Sequence, residues 1–302
     1  MKLIYKRIAL STLLIVFRLI AMAQSANANY VKTEIFTTPS GSNNCINIDY
    51  FDKKGRLSQN LNNGSGNGNY VRTYYEYNNS GMLNRQSSLI DSQNDCSYKN
   101  SYNLTQESRD SYDEDEFAYT TLSYDGLGNL SSVLGPGFDW YDDERSVNYD
   151  FLLNKADAIK HYTISEQDGI LIDKGEFYEK DKLKCQKRRD ENGHVKEVYF
   201  DELGRKVLER GIGKENHDTY YVYDKLNRLR YILTPQYQKT PDVSLYTYQY
   251  SYDERNHIVS KILPGGIKTL FGYNSSDKLV IMQDAMLCMR SLYRVFMYDT
   301  LG

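Results

Sequence analysis

The 302-residue sequence holds one tryptophan, five prolines, four cysteines and four histidines. Each scarcity closes off a class of chemistry. Cys45, Cys96, Cys185 and Cys288 are widely separated, with no CxxC pair and no Cys/His grouping at the spacing of a tetrahedral zinc site. In an exported chain they could pair as disulfides in more than one way, or stay scattered as buried thiols, the blander reading, since free cysteine is so often buried. His161, His194, His217 and His257 show no HxH, HExxH or HxxxH spacing, and His194 and His257 fall at turn positions expected to face solvent. The glycines of "GSGNG" follow no strand and open no helix, which excludes a phosphate loop.

Long apolar runs are also missing. Ile8 to Phe17 is the apolar stretch of the N-terminus, preceded by Lys2, Lys6 and Arg7 and interrupted by Arg18, so it is too short to span a bilayer. With small Ala21 and Ala23 before Gln24, residues 1–23 read as an export signal cleaved after Ala23, the alternative being an uncleaved anchor. No cysteine lies at that point to carry a lipid. Residues 1–23 contain four basic and no acidic residues, so their removal takes the formal charge from −3 to −7. A net-negative chain argues against a nucleic-acid partner. The expected location is outside the inner membrane, secreted or on the cell surface.

What the chain has in excess is tyrosine, 29 residues against 10 phenylalanines. Tyrosine suits half-buried pleated surfaces, and 40% apolar content is enough for a core, so the composition points to β-structure. The tyrosines are not scattered. "FDKKGRL" at 51, "YNNSGML" at 77, "YDGLGNL" at 124, "FDELGRK" at 200, "YDKLNRL" at 223, "YDERNHI" at 252, "YNSSDKL" at 273 and "YDTLG" at 298 are copies of one motif, and "RDENGHV" at 189 lacks only the aromatic. From 200 onward the copies begin 23, 29, 21 and 25 residues apart, the length of one hairpin.

The motif's chemistry is that of a turn. Asp or Asn can accept N–H bonds from the residues that follow it, and Gly, Asn or Asp three places on tolerates a left-handed backbone. The pairs are Asp52 and Gly55, Asn78 and Gly81, Asp125 and Gly128, Asp190 and Gly193, Asp201 and Gly204, Asp224 and Asn227, Asp253 and Asn256, Asn274 and Asp277, and Asp299 and Gly302. Nine concordant pairs define hairpin loops built on a type I turn. Flanking residues alternate as strands do. Tyr221 and Tyr223 are expected on one face before a turn, Leu229, Tyr231 and Leu233 on one face after it, and Tyr246, Tyr248, Tyr250 and Tyr252 as a ladder that is structural before it is a ligand platform.

These copies, "YFDKKGRL", "YDGLGNL", "YFDELGRKV" and "YDKLNRL" above all, resemble the YD repeats of Rhs proteins, teneurins and toxin-complex shell subunits. The resemblance covers about residues 50–302, more faintly between about 82–123 and 131–176, with residues 24–49 as a lead-in. It implies an all-β fold, tandem hairpins in a curved, continuous antiparallel sheet forming an open segment of an Rhs-type shell. It further implies a non-catalytic structural role, without cofactor or metal, in a shell that encloses a C-terminal toxin or mediates surface interactions. The self-cleaving core with its "DPxGL" motif and the toxin segment are not in this sequence, so toxin activity does not carry over. The implied partners are downstream repeats or a toxin region of the same or a split polypeptide, or surface glycans and proteins.

Within the faint stretches, "SYDEDEF" and "WYDDERS" read as worn copies, "LGPGFDW" as a tight turn, and "FLLNKADAIKHY", 151–162, as the one segment with helical character. The acids of 110–116 and 139–144 lack the spaced Gly and terminal Glu of a calcium loop and read as solvated faces rather than a glycosidase pair. Lys182, Lys184, Lys187, Arg188 and Arg189 read as a strand face with cross-strand ion pairs. The competing reading of the whole chain is a secreted carbohydrate-binding or carbohydrate-active β protein, which would need its aromatic rings exposed.

Overall fold

A computed structural model of the chain describes residues 17–18, 28–36, 44–63, 70–91, 96–111, 116–215 and 217–299. The expected cleavage point after Ala23, most of the acidic stretch at 110–116 and Gly302 lie outside the described residues. The chain divides into two compact units, Met1–Asn148 and Tyr149–Gly302.

In the first unit the strands Asn29–Phe36, Asn44–Phe51, Leu57–Asn62, Tyr70–Tyr77, Leu83–Asp91, Thr120–Tyr124 and Leu130–Leu134 each pair antiparallel with the next. Ser146–Asn148 adds a further short pairing to Leu130–Leu134, and Phe17–Arg18 pairs with Glu34 and Ile35. The second unit repeats the plan with Lys184–Arg189, Val195–Phe200, Lys206–Ile212, His217–Tyr223, Leu229–Leu233, Thr247–Tyr252, Ile258–Ile262, Thr269–Tyr273, Leu279–Gln283 and Arg294–Val295. Lys160–Ile164 and Leu171–Phe177 form a separate hairpin. The fold is an open, unclosed antiparallel sheet of hairpins.

One irregularity recurs at seven motif copies. The pairing register slips at the motif aromatic, which pairs with the residue six places on: Phe51 with Leu57, Tyr77 with Leu83, Tyr124 with Leu130, Phe200 with Lys206, Tyr223 with Leu229, Tyr252 with Ile258 and Tyr273 with Leu279. Such a bulge twists the strand and re-aims its side chains. It also corrects the simple alternation: Val222 pairs with Tyr231 while the adjacent Tyr223 pairs with Leu229, so Leu229 is out of step with Tyr231 and Leu233. Tyr246, likewise, ends a short helix (Val243–Tyr246), and only Tyr248, Tyr250 and Tyr252 form the ladder.

The core lies where motif-free chain covers the sheet. In the first unit Ile48, Tyr50 and Leu61 are buried beneath Tyr98 and Cys96, and Tyr74 packs on Leu104 of the helix Leu104–Ser111. Tyr50 and Tyr98 have ring centroids 5.4 Å apart, and Tyr74 and Tyr102 4.3 Å. The helix begins where Asn103 accepts the Thr105 N–H, and buries Leu104 and Ser108. Fully buried Arg72 joins this cover by donating to Gln59 Oε1 at 2.8 Å and to the Ser97 carbonyl at 3.0 Å.

In the second unit the cover is the insertion 154–183 and the helix Pro235–Lys239, which together bury Ile159, Tyr162, Leu183 and Tyr237 against Tyr199, Leu208, Tyr220 and Leu233. Buried Asn154 closes the insertion's base, its side chain accepting from Leu183 N at 2.7 Å and donating to the Glu179 carbonyl at 2.8 Å. Residues 151–162 are therefore not helical. They leave the strand Ser146–Leu153, turn at 156–157 with Asp157 at φ 52°, and enter Lys160–Ile164, because Asn154 pins the base of the insertion and Ile159 is buried in the core. The "WYDDERS" stretch is not a hairpin turn either: the short helix Phe138–Asp142 follows Gly137, whose φ of 115° ends the preceding extended run.

Candidate functional site

Two features gather functional groups: the row of motif turns, and a cleft beside it in the second unit. Each turn is built the same way. Oδ1 of Asp224 accepts from Leu226 N and Arg228 N, both at 3.0 Å, while Oδ2 takes the Arg228 Nε–H at 2.8 Å. Asp224 N donates to the Arg228 carbonyl, and Asn227 N to the Asp224 carbonyl. Asp52 with Arg56 and Asp201 with Arg205 repeat this set, Asp125 substitutes the amide of Asn129, and Asp190 and Asp253 take a histidine ring. Asn78 and Asn274 keep only the N–H bonds from Met82 and from Ser276 and Lys278.

The fourth residue of each turn stands in the left-handed region, with φ of 76° at Gly55, 83° at Gly81, 85° at Gly128, 83° at Gly193, 75° at Gly204, 61° at Asn227, 70° at Asn256 and 61° at Asp277. At Gly204 a Cβ would meet nothing within 4 Å, so backbone strain alone restricts that position. Asp299 follows Tyr298 in the last copy.

The carboxylates respond to this setting. Burial pushes Asp224 and Asp52 upward, but the N–H bonds and the facing guanidinium prevail and hold both below the usual carboxylate range. At Asp125 the Asn129 side-chain amide is the main cause of the same shift.

The motif's tyrosine and arginine work between turns, which sequence reasoning did not see. Tyr223 donates to the Lys206 carbonyl at 3.0 Å, Tyr252 to Leu229 at 2.8 Å, Tyr273 to Ile258 at 3.2 Å and Tyr298 to Leu279 at 2.8 Å. In the first unit Tyr77 reaches Leu57 at 2.7 Å and Tyr124 reaches Leu83 at 2.8 Å. Each acceptor is the residue that follows the preceding turn. The turn's basic residue lies over the next tyrosine ring: Arg56 on Tyr77 at 4.2 Å, Arg205 on Tyr223 at 5.0 Å, Arg228 on Tyr252 at 5.4 Å and Lys278 on Tyr298 at 5.2 Å. One Asp–Arg pair thus positions the cation that caps the following hairpin. A signal was present, since Arg, Lys or His follows the left-handed residue in most copies.

His257 corrects the expectation for its slot. Its side chain is only 18% exposed and stacks on Tyr273 at 4.5 Å, whereas His194 is 80% exposed.

The cleft has a volume of about 1210 Å³ and lies between the hairpin 160–177 and the turns at 201–205 and 224–228. Glu166 pairs with Lys225, and Tyr231 donates to the Gly169 carbonyl at 3.1 Å. Gly169 stands at φ 70°, a backbone conformation that favours glycine, with the Arg230 guanidinium beside it. His161 lies tilted against Tyr178, ring centroids 4.3 Å apart, and its burial pushes its pKa down. Most charges lining the cleft face partners: Asp201 with Arg205, Asp224 with Arg228 and Arg230, and Glu166 with Lys225. The arrangement fastens a hairpin.

Among the described residues no three of His, Cys, Asp and Glu come together as a metal-binding group. All four thiols are free, Cys185 buried, Cys45 and Cys96 half-buried and Cys288 exposed. Lys182 pairs with Glu202 and Lys196 with Glu209 across the basic strand face. Among the described tyrosines only Tyr141, Tyr293 and Tyr298 are exposed.

No protein-family model and no curated protein matches the sequence. Among solved structures, the chain is similar to TcdB2–TccC3, with a TM-score of 0.53 at 13% identity over 85% of this chain and 12% of that one. The same assembly without its hypervariable C-terminal region gives 0.51 at 13% identity, over the same shares of both chains, and TcdB2–TccC3–TEV gives 0.51 at 12%, over 89% of this chain and 13% of that one. The chain therefore spans about one-eighth of the length of these relatives. At that identity the likeness is one of fold, that of a toxin-complex, Rhs-type shell.

Proposed function

We propose that this chain is a non-catalytic structural segment of an exported YD-repeat protein, a stretch of wall whose hairpins are tied turn to turn. The observation that carries this reading is the recurring tie itself: tyrosine hydroxyl to the preceding turn, and basic side chain over the following ring. Such a tie spends the motif's reactive groups on neighbours. The fold shared with TcdB2–TccC3 supports a shell role, in which further repeats or a toxin region of the same or a split polypeptide are the partners. Export rests on the N-terminal charge and apolar pattern. The carbohydrate-binding alternative has little surface to use, because most described tyrosines are at least half-buried.

Electron microscopy of the natural polypeptide tests the reading. A hollow wall of hairpins, together with silence on a glycan array and in polysaccharide-hydrolysis assays, is the expected result. Specific glycan binding or hydrolysis, abolished by substitutions in the cleft, would replace it with the alternative.

A further inference from the structure

Two surfaces take no part in the ties between turns. One is the sheet face formed by Lys184–Arg189 and Val195–Phe200 on the side away from buried Cys185. Lys184 and Arg188 share that face, both exposed, and Arg188 stands directly opposite exposed Lys196 in the strand register. Like charges so placed destabilise a sheet. Glu209 offsets Lys196 at 2.6 Å, but it also holds Lys206 at 3.0 Å, and no described carboxylate pairs with Lys184 or Arg188. Elsewhere the motif's arginines, Arg56, Arg205 and Arg228, are each matched to an Asp of their own turn. This face is left with cations to spare.

The other surface is the knuckle at 138–144. Phe138, Trp140 and Tyr141 of the helix Phe138–Asp142 are exposed, in a chain whose described tyrosines are mostly at least half-buried and whose only tryptophan is Trp140. Phe117 stacks on Tyr141 with ring centroids 3.8 Å apart, so the ring is held in place although the residue is 47% exposed. Asp139, Asp142 and Glu144 flank these rings without an ion pair among the described residues, Asp143 alone being matched, to Arg145 at 2.6 Å. Ordered aromatic rings beside carboxylates suit lysine and arginine side chains: the ring faces attract the cation and the carboxylates accept its N–H groups. Tryptophan and tyrosine are also enriched at protein interfaces.

We propose that the knuckle of one copy of this chain docks on the basic face of a second copy, with Lys184 and Arg188 meeting Trp140, Tyr141 and the acids around them. Charge complementarity names the occupant. Residues 139–145 carry four acids against one base, and the sheet face carries Lys184, Arg188, Lys196 and Lys206 against Glu209. The contact joins chains, whereas the ties of the motif act within one.

Sedimentation velocity of the full chain across a concentration series tests the proposal. Association should rise with concentration and weaken about tenfold or more between about 50 and about 500 mM salt, because exposed pairs are screened. Lys184→Glu with Arg188→Glu should abolish it, as should Asp139→Lys with Asp142→Lys. Mixed together, the two double variants should associate again, because the acidic knuckle of one meets the intact basic face of the other. Trp140→Ala should weaken association about tenfold through the lost ring. A chain that is monomeric at every concentration in low salt, association untouched by either charge reversal, or no recovery in the mixture would overturn the proposal. If the strand variant fails to fold, the knuckle variants decide alone, and full association in both Trp140→Ala and the Asp139, Asp142 double variant would overturn it.

Discussion

From the turn at Asp201 to Tyr298 every hairpin is tied to the next by a basic or imidazole side chain over a tyrosine and a tyrosine hydroxyl on a carbonyl. In the first unit the same tie appears once, from Arg56 to Tyr77, and then thins. Met82 takes the basic slot, its sulfur 3.8 Å from where a Cβ on Gly128 would lie, and only the hydroxyl of Tyr124 keeps the link to Leu83. Residues 92–119 intervene there, and the strands on either side share just two register pairs, Arg85 with Thr121 and Gln86 with Thr120. The lesson is that the motif is a coupling device before it is a turn signal. In both units motif-free chain covers the sheet and supplies the core, the helix Leu104–Ser111 in the first and the insertion 154–183 in the second. What the complete tie adds in the second is a direct link from turn to turn.

The comparison breaks most readily at the aspartates. Asp224→Ala removes the oxygen that accepts two N–H bonds and leaves Arg228 without its carboxylate, at a cost of about 2–3 kcal/mol. Asp125→Ala, which loses the same two N–H bonds but frees a neutral amide of Asn129 in place of a guanidinium, should cost less. Urea unfolding of the two variants checks the order, and equal losses would mean that the charged tie adds nothing to the turn.

Acid should act in the same places. Asp52, Asp125, Asp190, Asp224 and Asp253 all have folded-state pKa values below their ordinary ones. A depressed carboxylate contributes stability that is full above its unfolded pKa and is lost as pH falls through the folded one. Stability should thus hold at neutral pH and decline below about pH 4. Circular dichroism in a pH series in fixed urea reads this, and Asp224→Asn should flatten part of the decline. A midpoint indifferent to pH down to 2 would contradict the ion-pair account.

A smaller effect separates the two kinds of left-handed residue. Gly204→Ala adds a Cβ that meets nothing but must hold φ at 75°, for about 1 kcal/mol, while Asn256→Gly, at φ 70°, should change stability by a few tenths. The urea midpoints of the pair measure backbone strain apart from packing.

Much of this was legible in the chain. Asp and Gly three apart marked the turns, the stride of the copies marked hairpins, and the tyrosine excess marked a sheet. The bulge was not legible, because a period-two pattern contains no term for an extra residue, and Leu229 was misaligned with Tyr231 for that reason. Nor was the role of the faint stretches, whose Asn154, Leu104 and Tyr162 are recognisable as core only once the face they cover is known. The tie between turns joins residues about twenty apart that no local rule connects. His257 was read as a surface residue because its partner Asp277 lies one repeat away.

The claim that the motif couples neighbouring hairpins is tested most directly by a double-mutant cycle on Arg228 and Tyr252, side chains on successive turns. Arg228→Ala and Tyr252→Leu, alone and together, give the interaction energy from urea unfolding, with exposed Leu226→Ala paired to Tyr252→Leu as the reference. The account predicts a coupling of about 0.5–1 kcal/mol for the arginine pair and additivity for the reference. Additive losses in both cycles would contradict it.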